Sequence, residues 1–428
     1  KEDLWSIVNM ELDLLPCLVD MTWKGVRIDQ DKVEITRNAL LKREKVIRAE
    51  IKSLVGTDVE IWAAQSLCKA FDKIGITYPK TEAGAPSFTK SFLTDHSHQL
   101  PKLIVSARTL NKTSGTFINT IMKHCRSDGR IHSHINQVRS DDGGTVSGRI
   151  SMNNPNLQQL PARDPEMGPM IRSLFLPEEG EQWAAIDFSQ QEPRILVHYA
   201  HVFGKSRPIP LEGVQEFVDG YRNDPNTDFH TMVAEMANIP RKKAKVINLA
   251  IMYGMGVNKL SDQMDISVDE AKALVKQYHN RVPFVKALMN GVISRLNDKA
   301  SAGSIRSILG RKCRFDLWEP DSFAMHKALP YREAIQAHGE TTRLKRAYTY
   351  KALNRLIQAS AADMTKKAMV DLYKAGKTPL IQIHDEMAMS VKSRTEAQEI
   401  AEIMENAVPL EIPNKTDIEI GPSWGEAT

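Results

Sequence analysis

The chain has 428 residues, of which 42% are hydrophobic and 26% are charged, the ordinary balance of a folded protein with a sizeable core. Its net charge of +4 is too small to indicate a nucleic-acid partner by itself, so any such evidence must come from local patches. No apolar run approaches the roughly 20 residues of a membrane-spanning helix, and the first residues lack a signal-peptide pattern, so nothing marks the chain for a membrane or for export.

The first part of the sequence is mostly helical in pattern. This pattern runs from Gln30 to about Asn136 and is interrupted by GTDVE at 56–60 and the turn-rich TEAGAPS at 81–87. A stretch of small polar and basic residues follows at 106–123. The first residue is Lys1 rather than methionine, which indicates a processed chain or a fragment of a longer one.

Residues 183–200, WAAIDFSQQEPRILVHYA, predict a buried strand followed by a helix. Trp183 to Ile186 are apolar, while Ser189 and Glu192 form the S-x-x-E pattern of a helix capping box. Asp187 would then lie at the end of the strand, where the sheet fixes a carboxylate that is open to solvent on one side and suits a metal ion. A role in capping the next helix also explains this aspartate, so the stretch alone leaves both interpretations open.

Residues 241–256, RKKAKVINLAIMYGMG, predict a helix with one distinctive face. Arg241, Lys245, Leu249 and Tyr253 recur every four residues, and on a helix they form a stripe that begins cationic and ends aromatic. The cations would hold a triphosphate and the ring would stack near a base. A solvated basic face with a buried tyrosine explains the same pattern.

Two later stretches predict paired strands. Residues 304–315, SIRSILGRKCRF, have a strand-turn-strand pattern, and 380–391, LIQIHDEMAMSV, predict a β-hairpin with Asp385 and Glu386 at its tip. Asp385 would meet Asp187 across a sheet. Two such carboxylates suit a pair of Mg²⁺ ions about 4 Å apart, the arrangement for in-line phosphoryl or nucleotidyl transfer.

Three of these motifs together resemble one known family. DFSQQEPR at 187–194, the R-x-x-x-K-x-x-x-L-x-x-x-Y-G helix and IHDE at 383–386 are similar to the three polymerase motifs of the DNA polymerase I family, or family A, and stand in its order. The resemblance implies an α+β fold, the right-hand polymerase fold with an antiparallel palm sheet, helical fingers and a helical thumb. The implied divisions are an approach to the polymerase region at 1–29, a thumb at 30–136, a palm at 137–225 and 351–428, and fingers at 226–350.

The reaction that the resemblance implies is template-directed DNA synthesis, in which the primer 3′-hydroxyl attacks the α-phosphorus of a dNTP and pyrophosphate leaves. Asp187 and Asp385 would hold two Mg²⁺ ions, for which Mn²⁺ can substitute, and the backbone carbonyl of Phe188 would join one of them. Lys245 would assist catalysis, and Glu386 would be a nearby acid rather than an obligate ligand.

Seven positions match the family's contacts to the incoming nucleotide. They are Gln190, Glu192, His230, Arg241, Lys245, Leu249 and Tyr253. Glu192 matches the steric gate, whose side chain lies where a ribose 2′-hydroxyl would go, braced by Tyr253; a capping role is compatible with this one. Leu249 stands where many members carry an aromatic ring, which puts stacking on the nucleotide in doubt. Pro193 replaces a common leucine and fits a helix only in its first turn.

The resemblance also implies a path for DNA. The turn-rich TVSGRISMNNPNLQQLPAR at 145–163 is similar to the segment that touches primer and template in the minor groove, and 342–356 interleaves cations with Tyr348 and Tyr350, as suits a template strand. The implied DNA-binding residues are Arg108, Lys112, Arg130, Arg149, Asn154, Gln158, Asn354, Gln358 and His384. For the first three, an exposed solubilising helix face is an open alternative.

We expect a monomer that binds primer-template DNA and dNTPs, without a membrane partner and without a thumb insertion for a thioredoxin-type processivity partner. Residues 2–29 already resemble the approach to the polymerase region, so no 3′–5′ exonuclease domain is expected in this chain, and 421–427 resemble the family's own C-terminus. The four cysteines lack C-x-x-C spacing, which argues against a zinc site and favours reduced thiols in a cytoplasm. The short chain and its unusual residues favour a bacteriophage source over a bacterial or organellar one.

Two other functions remain open at this point. A single-subunit RNA polymerase shares a palm with two metal-binding aspartates, although Glu192 opposes it. A non-catalytic duplex-binding relative would need the cations of the 241–256 helix. It would gain nothing from carboxylates clustered near phosphates, which argues against it.

Overall fold

The computed structural model describes residues 3–427 apart from 82, 139–143, 163, 209–210, 298–302, 323 and 325. The α-helices are α1 (Trp5–Lys24), α2 (Gln30–Val55), α3 (Ala64–Lys73), α4 (Lys90–Asp95), α5 (Gln99–Lys112), α6 (Asn119–His124), α7 (Met167–Arg172), α8 (Gln191–Lys205), α9 (Val214–Asn223), α10 (Phe229–Ala237), α11 (Arg241–Met252), α12 (Val257–Met264), α13 (Val268–Arg281), α14 (Pro283–Asn297), α15 (Tyr331–His338), α16 (Ala352–Lys374) and α17 (Arg394–Asn406). The strands are β1 (Val26–Ile28), β2 (Arg130–Ile131), β3 (His134–Asn136), β4 (Ser151–Asn153), β5 (Phe175–Leu176), β6 (Gln182–Phe188), β7 (Ser304–Arg306), β8 (Lys312–Arg314), β9 (Leu317–Pro320), β10 (Leu329–Pro330), β11 (Leu344–Arg346), β12 (Ile381–Ile383), β13 (Glu386–Val391) and β14 (Thr416–Gly421).

The chain forms two compact units. The larger consists of residues 1–23, 135–152 and 184–419, and the smaller of residues 24–134, 153–183 and 420–428. Each unit is therefore assembled from separate stretches of the chain. The division into thumb, palm and fingers stays a prediction.

Helices dominate the smaller unit, as the helical pattern of its sequence predicts. Helix α2 begins after Asp29, whose side chain accepts a hydrogen bond from the Lys32 backbone N–H at 2.9 Å. It ends at Gly56, which adopts φ +77°, a left-handed conformation that favours glycine. The core of this unit includes the fully buried Phe71 and Leu100. The predicted interruption at 56–60 is thus confirmed as the end of a helix.

The larger unit contains a four-stranded sheet with strand order β12-β13-β6-β14. Strands β12 and β13 form the predicted antiparallel hairpin, with Ile381 opposite Ala388. Strand β6 is buried from Ala184 to Ile186 because these side chains are apolar. The sheet order sets the end of β6 beside the turn of the hairpin.

The larger unit also contains a β-hairpin and a second, three-stranded sheet. Strands β7 and β8 pair antiparallel, with Ile305 opposite Cys313, which confirms the strand-turn-strand prediction. Strands β10, β9 and β11 form a second antiparallel sheet in that order, and α15 packs against it. We call this β9–β11 sheet with α15 the accessory sheet.

The predicted capping box at the start of α8 is wrong. The helix begins at Gln191, its cap residue is Gln190 in a left-handed conformation at φ +52°, and the Gln190 side chain makes no capping hydrogen bond. The Glu192 carboxylate instead accepts hydrogen bonds from the Arg149 guanidinium and the Tyr253 hydroxyl, and both donors lie far from Glu192 in the sequence. Pro193 is the third residue of the helix, so its missing N–H disrupts no helical hydrogen bond, as predicted.

Candidate active site

Two carboxylates meet at one edge of the four-stranded sheet. Asp187 is the penultimate residue of β6, and Asp385 lies in the turn between β12 and β13. The backbone N–H of Phe188 donates to the Asp385 carbonyl at 3.3 Å, which holds the turn against the end of β6. The turn is sharp because His384 adopts φ +55°, and its carbonyl accepts a hydrogen bond from the buried Gln382 side chain at 2.7 Å. The two acids that the sequence separates by almost 200 residues are neighbours.

The electrostatics of this pair are unfavourable without a cation. Burial first, and then the negative charges of Asp385, Glu386 and Asp417, together raise the pKa of Asp187 to about 8. Burial also raises the pKa of Asp385, although Arg149 opposes the shift. Within the described part of the chain, the buried Oδ1 atom of Asp187 has no hydrogen-bond partner. Such an unsatisfied oxygen is costly and fits a ligand that carries positive charge.

The same residues could supply part of a metal site. Carboxylate and carbonyl oxygens are the ligands of hard cations such as Mg²⁺, and Asp187, Asp385 and the Phe188 carbonyl offer them at one place. Among the described residues, no group of three or more His, Cys, Asp or Glu side chains is arranged around a common metal position. An ion here would therefore complete its coordination with substrate oxygens and water.

A third acid near this edge is held by two donors. The Glu192 carboxylate accepts one hydrogen bond from Arg149 Nη2 at 2.5 Å and another from the Tyr253 hydroxyl at 2.9 Å. Burial and the adjacent Glu192 charge raise the pKa of Tyr253 to about 12, so the phenol keeps its proton. Because α8 supplies the acid and the end of α11 supplies the tyrosine, this contact fixes the carboxylate in one orientation.

The predicted stripe on α11 forms on the helix as expected, with Tyr253 immediately after its last residue. Lys245 is exposed on this face. Arg241 is already paired, because its Nη2 atom lies 2.7 Å from Asp228 Oδ2. Asp228 also accepts a hydrogen bond from the Thr231 N–H at the start of α10. Burial would raise the pKa of Asp228, but Arg241 and Thr231 outweigh it and lower this pKa to about 2.

Two other predicted nucleotide contacts are engaged within the protein. His230 is buried, its Nδ1 atom lies 2.9 Å from the Asn248 amide nitrogen, and burial lowers its pKa. The Gln190 side chain accepts from the Phe229 N–H at 2.9 Å and donates to the Thr227 carbonyl at 3.1 Å. Gln190 therefore ties the start of α8 to the start of α10.

The chain is similar to known proteins. The family model described as "DNA polymerase family A" matches residues 30–426. The chain belongs to DNA polymerase family A. It is a DNA-directed DNA polymerase, a nucleotidyltransferase that synthesises DNA on a template.

Individual relatives are similar over nearly all of this family A chain. A "DNA-directed DNA polymerase" of Pseudomonas phage M6 is 36% identical over 100% of the chain and 67% of its own length. A "DNA polymerase I, thermostable" of Thermus aquaticus is 29% identical over 98% of the chain and 48% of its own length, so the chain spans about half of that relative. A solved structure of the Pol1 POL domain from M. smegmatis, in complex with DNA primer-template and dNTP, superimposes with a TM-score of 0.77 at 26% identity, covering 97% of this chain and 70% of that one.

No helix in the described part of this polymerase has both the length and the apolar character that crossing a bilayer requires. This agrees with the hydropathy of the sequence.

Three predicted DNA contacts lie in the smaller unit of the polymerase. Arg108 donates to the backbone carbonyls of Ile61 and Phe88 at 2.7 and 3.1 Å, and burial lowers its pKa. Arg130 forms a bidentate pair with Glu178 at 2.9 and 2.6 Å. Lys112, the last residue of α5, is exposed. Of these three cations, Lys112 has the geometry of a free phosphate contact.

The remaining predicted contacts lie on surfaces of varied exposure. Asn354 and Gln358 are half-buried and one helical turn apart, so they share a face of α16. Asn154 and His384 are exposed and both adopt a positive φ, and Gln158 is half-buried. Arg149 is held by Glu192, which places it beside the carboxylate pair rather than apart from it.

Sequence reasoning missed Arg194, the last residue of the motif at 187–194. Its side chain is 1% exposed and donates to three backbone carbonyls: Ser189 at 2.7 Å, Pro413 at 2.7 Å and Pro225 at 2.6 Å. A single guanidinium thus holds the loop after Asp187. Its place inside a catalytic motif was the available signal, but a sequence gives no sign of which carbonyls an arginine will reach.

A buried charge network, which we call the Glu11 cluster, was also missed. It consists of Glu11 on α1, Arg311 before β8, and Asp363 and Lys366 on α16. Lys366 Nζ lies 2.8 Å from Glu11, and Arg311 Nε lies 2.7 Å from Asp363. Because its members are spread over more than 350 residues, no local pattern could indicate it.

Proposed function

We propose that the chain extends the 3′-hydroxyl of a DNA primer with dNTPs and releases pyrophosphate, by two-metal nucleotidyl transfer at Asp187 and Asp385. The observation that carries the proposal is the half-buried carboxylate pair, in which the buried Asp187 Oδ1 atom has no hydrogen-bond partner among the described residues. The similar POL domain, which was solved with DNA primer-template and dNTP, supports the substrate class.

Asp187, Asp385 and the Phe188 carbonyl would hold two Mg²⁺ ions, or Mn²⁺ in their place. Bound there, the ions would lower the pKa of the attacking hydroxyl and neutralise charge on the phosphates. The protein's own part is to fix the two carboxylates through the sheet and the His384 turn. Glu386, the first residue of β13, adds negative charge nearby without being a required ligand.

The triphosphate would bind along α11. Lys245 is exposed there and would contact the phosphates directly. Arg241 would leave Asp228 for a phosphate, an exchange of one anionic partner for another. His230 and Gln190 form hydrogen bonds within the protein beside this surface. We propose that they stabilise the starts of α8 and α10 and also make the predicted nucleotide contact.

Sugar selection would depend on Glu192. Its carboxylate is oriented by Arg149 and Tyr253, so the gate is rigid rather than a freely rotating side chain. A rigid carboxylate at the 2′ position excludes a ribose by steric contact and favours dNTPs. Leu249, half-buried on the same face of α11, would contribute apolar contact to the nucleotide without aromatic stacking.

We further propose that the helical residues 30–136 act as a thumb, 226–350 as fingers, and 137–225 with 351–428 as a palm. Lys112 would hold the duplex backbone, and Asn354 with Gln358 would face the duplex from α16. Asn154, Gln158 and His384 would add minor-groove or primer contacts. We assign synthesis alone, and no proofreading step, to these 428 residues.

The test is primer extension on a primed DNA template with Mg²⁺ and dNTPs, beside Asp385→Ala and an rNTP reaction. We expect extension with dNTPs, none in the variant and little with rNTPs. Extension that favours rNTPs would instead support an RNA polymerase. Template binding without extension by the intact protein would contradict the proposal and favour a duplex-binding role.

A further inference from the structure

The accessory sheet contains an open pocket that the proposed reaction does not use. Its volume is about 500 Å³, enough for a nucleobase with part of its sugar, and it lies between β9, β11 and α15. The residues that give it chemical character are Asp316, Trp318, Tyr331, Glu340 and Arg346. The pocket is part of the larger unit.

Aromatic rings form one side of this pocket. Trp318 and Tyr331 pack edge to face with centroids 5.0 Å apart, and Tyr331 remains 51% exposed. The Arg346 guanidinium lies 4.5 Å from the Trp318 ring centroid and donates to the Phe315 carbonyl at 2.8 Å, so its position is fixed. Rigid, accessible π-faces beside a guanidinium are the features on which bases stack irrespective of sequence.

Carboxylates line the same pocket. Asp316 and Glu340 can only accept hydrogen bonds when ionised, so they suit the amino groups on the edges of adenine, cytosine and guanine. They would repel a phosphate. The chemistry therefore favours a base entering from a strand whose phosphates stay outside, and it disfavours a free nucleotide.

Cations for such a backbone lie at the start of β11, one of the strands that line the pocket. Arg343, just before β11, and Lys345 on β11 are exposed, with side chains 88% and 46% accessible, and both lie within 3.5 Å of Asp321. After β11 the chain continues into the exposed Tyr348 and Tyr350, and then into α16 with its Asn354 and Gln358 face. The pocket is thus joined along the chain to the predicted template contacts.

We propose that this pocket holds an unpaired base of the template strand, ahead of the position being copied. The inference rests on the proposed function and adds a binding site to it. Tyr331 stacks on the base, Glu340 and Asp316 accept from its amino group, and Arg343 with Lys345 holds the adjacent phosphates.

The test measures the affinity of primer-templates with one-nucleotide and eight-nucleotide template overhangs by fluorescence anisotropy. Wild type and Tyr331→Phe, which keeps the ring, are expected to bind the long overhang about tenfold more tightly than Tyr331→Ala does, with equal affinity for the short overhang. An abasic site moved along the overhang should lower wild-type affinity to the Tyr331→Ala level at one position. An overhang of dC should bind more tightly than one of dT, and Glu340→Gln should reduce that preference.

Equal binding of the long overhang by Tyr331→Ala and wild type would overturn the inference, as would an abasic scan with no effect at any position. Primer extension on the one-nucleotide overhang separates the two levels of the argument. If both proteins extend it equally while the overhang effect is absent, the pocket assignment alone fails. If wild type extends no primer, the proposed function fails and this inference with it.

Discussion

The larger unit contains two buried groups of charge that are built in opposite ways. In the Glu11 cluster each acid meets a cation: Lys366 lies 2.8 Å from Glu11, and Arg311 lies 2.7 Å from Asp363. In the pair at the sheet edge, neither Asp187 nor Asp385 forms an ion pair with any described residue, and each raises the electrostatic cost of the other's charge.

The pKa directions express this difference. Burial alone would raise the pKa of Glu11, but Lys366 and Arg311 outweigh it and hold this pKa below its ordinary value. Burial and like charges instead raise the pKa of Asp187 to about 8. Charge that is neutralised within the protein stabilises one arrangement of helices, whereas charge left uncompensated is available to a ligand. Four predictions test this difference between the two groups of charge.

The largest effect is expected from Asp187→Asn or Asp385→Asn. Either change removes a carboxylate that would hold a metal ion, so we expect polymerisation to fall by at least about a thousandfold. The thermal stability of the metal-free protein should stay equal or rise, because a repulsive buried charge is removed. Primer extension and melting temperature in EDTA measure both. A variant that loses stability along with activity would contradict the comparison, and Glu386→Gln is the matched control, expected to lose much less activity.

The next effect is on stability. Glu11→Ala leaves Lys366 and Arg311 buried with one fewer partner, which should lower the free energy of unfolding by about 3 to 5 kcal/mol. Asp13→Ala is the control on the same helix. Asp13 pairs with Lys374 at the surface, so its loss should leave stability close to wild type. Urea unfolding measures the stability of both variants. Equal losses would show that the Glu11 cluster contributes no more to stability than a surface ion pair does.

Glu192 combines features of both groups, because it is paired with a cation, Arg149, and also lies beside the Asp187 and Asp385 carboxylates. The Glu192→Ala variant tests its role. We expect discrimination against rNTPs, as the ratio of kcat/KM values, to fall by about a hundredfold. Tyr253→Phe removes the hydrogen bond of 2.9 Å and should give a smaller loss in the same direction. Single-nucleotide incorporation kinetics measure this ratio. Unchanged discrimination in Glu192→Ala would remove the gate assignment.

The smallest effect is a pH dependence. Burial lowers the pKa of Lys366 from 10.5 to about 8, against the opposing charges of Glu11 and Asp363 and with the help of Arg311. Between pH values of about 8 and 10.5, Lys366 keeps its proton in the unfolded chain but has released it in the folded chain. The free energy of unfolding should therefore rise with pH in this window.

The free energy of unfolding of Lys366→Met should not rise in this way. Across the upper part of the window, we expect the increase in the wild-type protein to exceed that in the variant by about 1 to 2 kcal/mol. Urea unfolding from about pH 8 upward measures it for both proteins. Parallel pH profiles would show that Lys366 does not titrate in the folded state there.

Much of the fold was predictable because its patterns are local. The alternation of Ile381 and Ile383 predicted the hairpin, and the four-residue spacing from Arg241 to Tyr253 predicted α11. The capping-box prediction failed for a physical reason. Ser189 and Glu192 have the right spacing, but Glu192 gains stronger hydrogen bonds from Arg149 and Tyr253 than a backbone N–H offers.

The site was predictable only in part. The motifs indicated Asp187, Asp385, Glu192 and Lys245, and in the structure the first three lie close to one another. It also gives Arg108 and Arg130 protein partners, although their sequence context resembles that of free phosphate contacts. Whether a basic side chain is free depends on the acids and carbonyls that reach it from elsewhere in the chain.

The secondary structure around each motif and the residue types of the active site follow from local sequence, because hydrophobic period and residue chemistry are local properties. Which of these charges are compensated depends on the folded structure. Glu11 and Asp187 are both acids in or beside an apolar run, and although the motif at 187–194 named Asp187 as a metal ligand, neither sequence indicates which charges will face its carboxylate. Lys366 lies 355 residues from Glu11 along the chain yet 2.8 Å away in space, whereas folding brings other acids to Asp187. Electrostatic interaction depends on distance in space, and that distance is set by the fold.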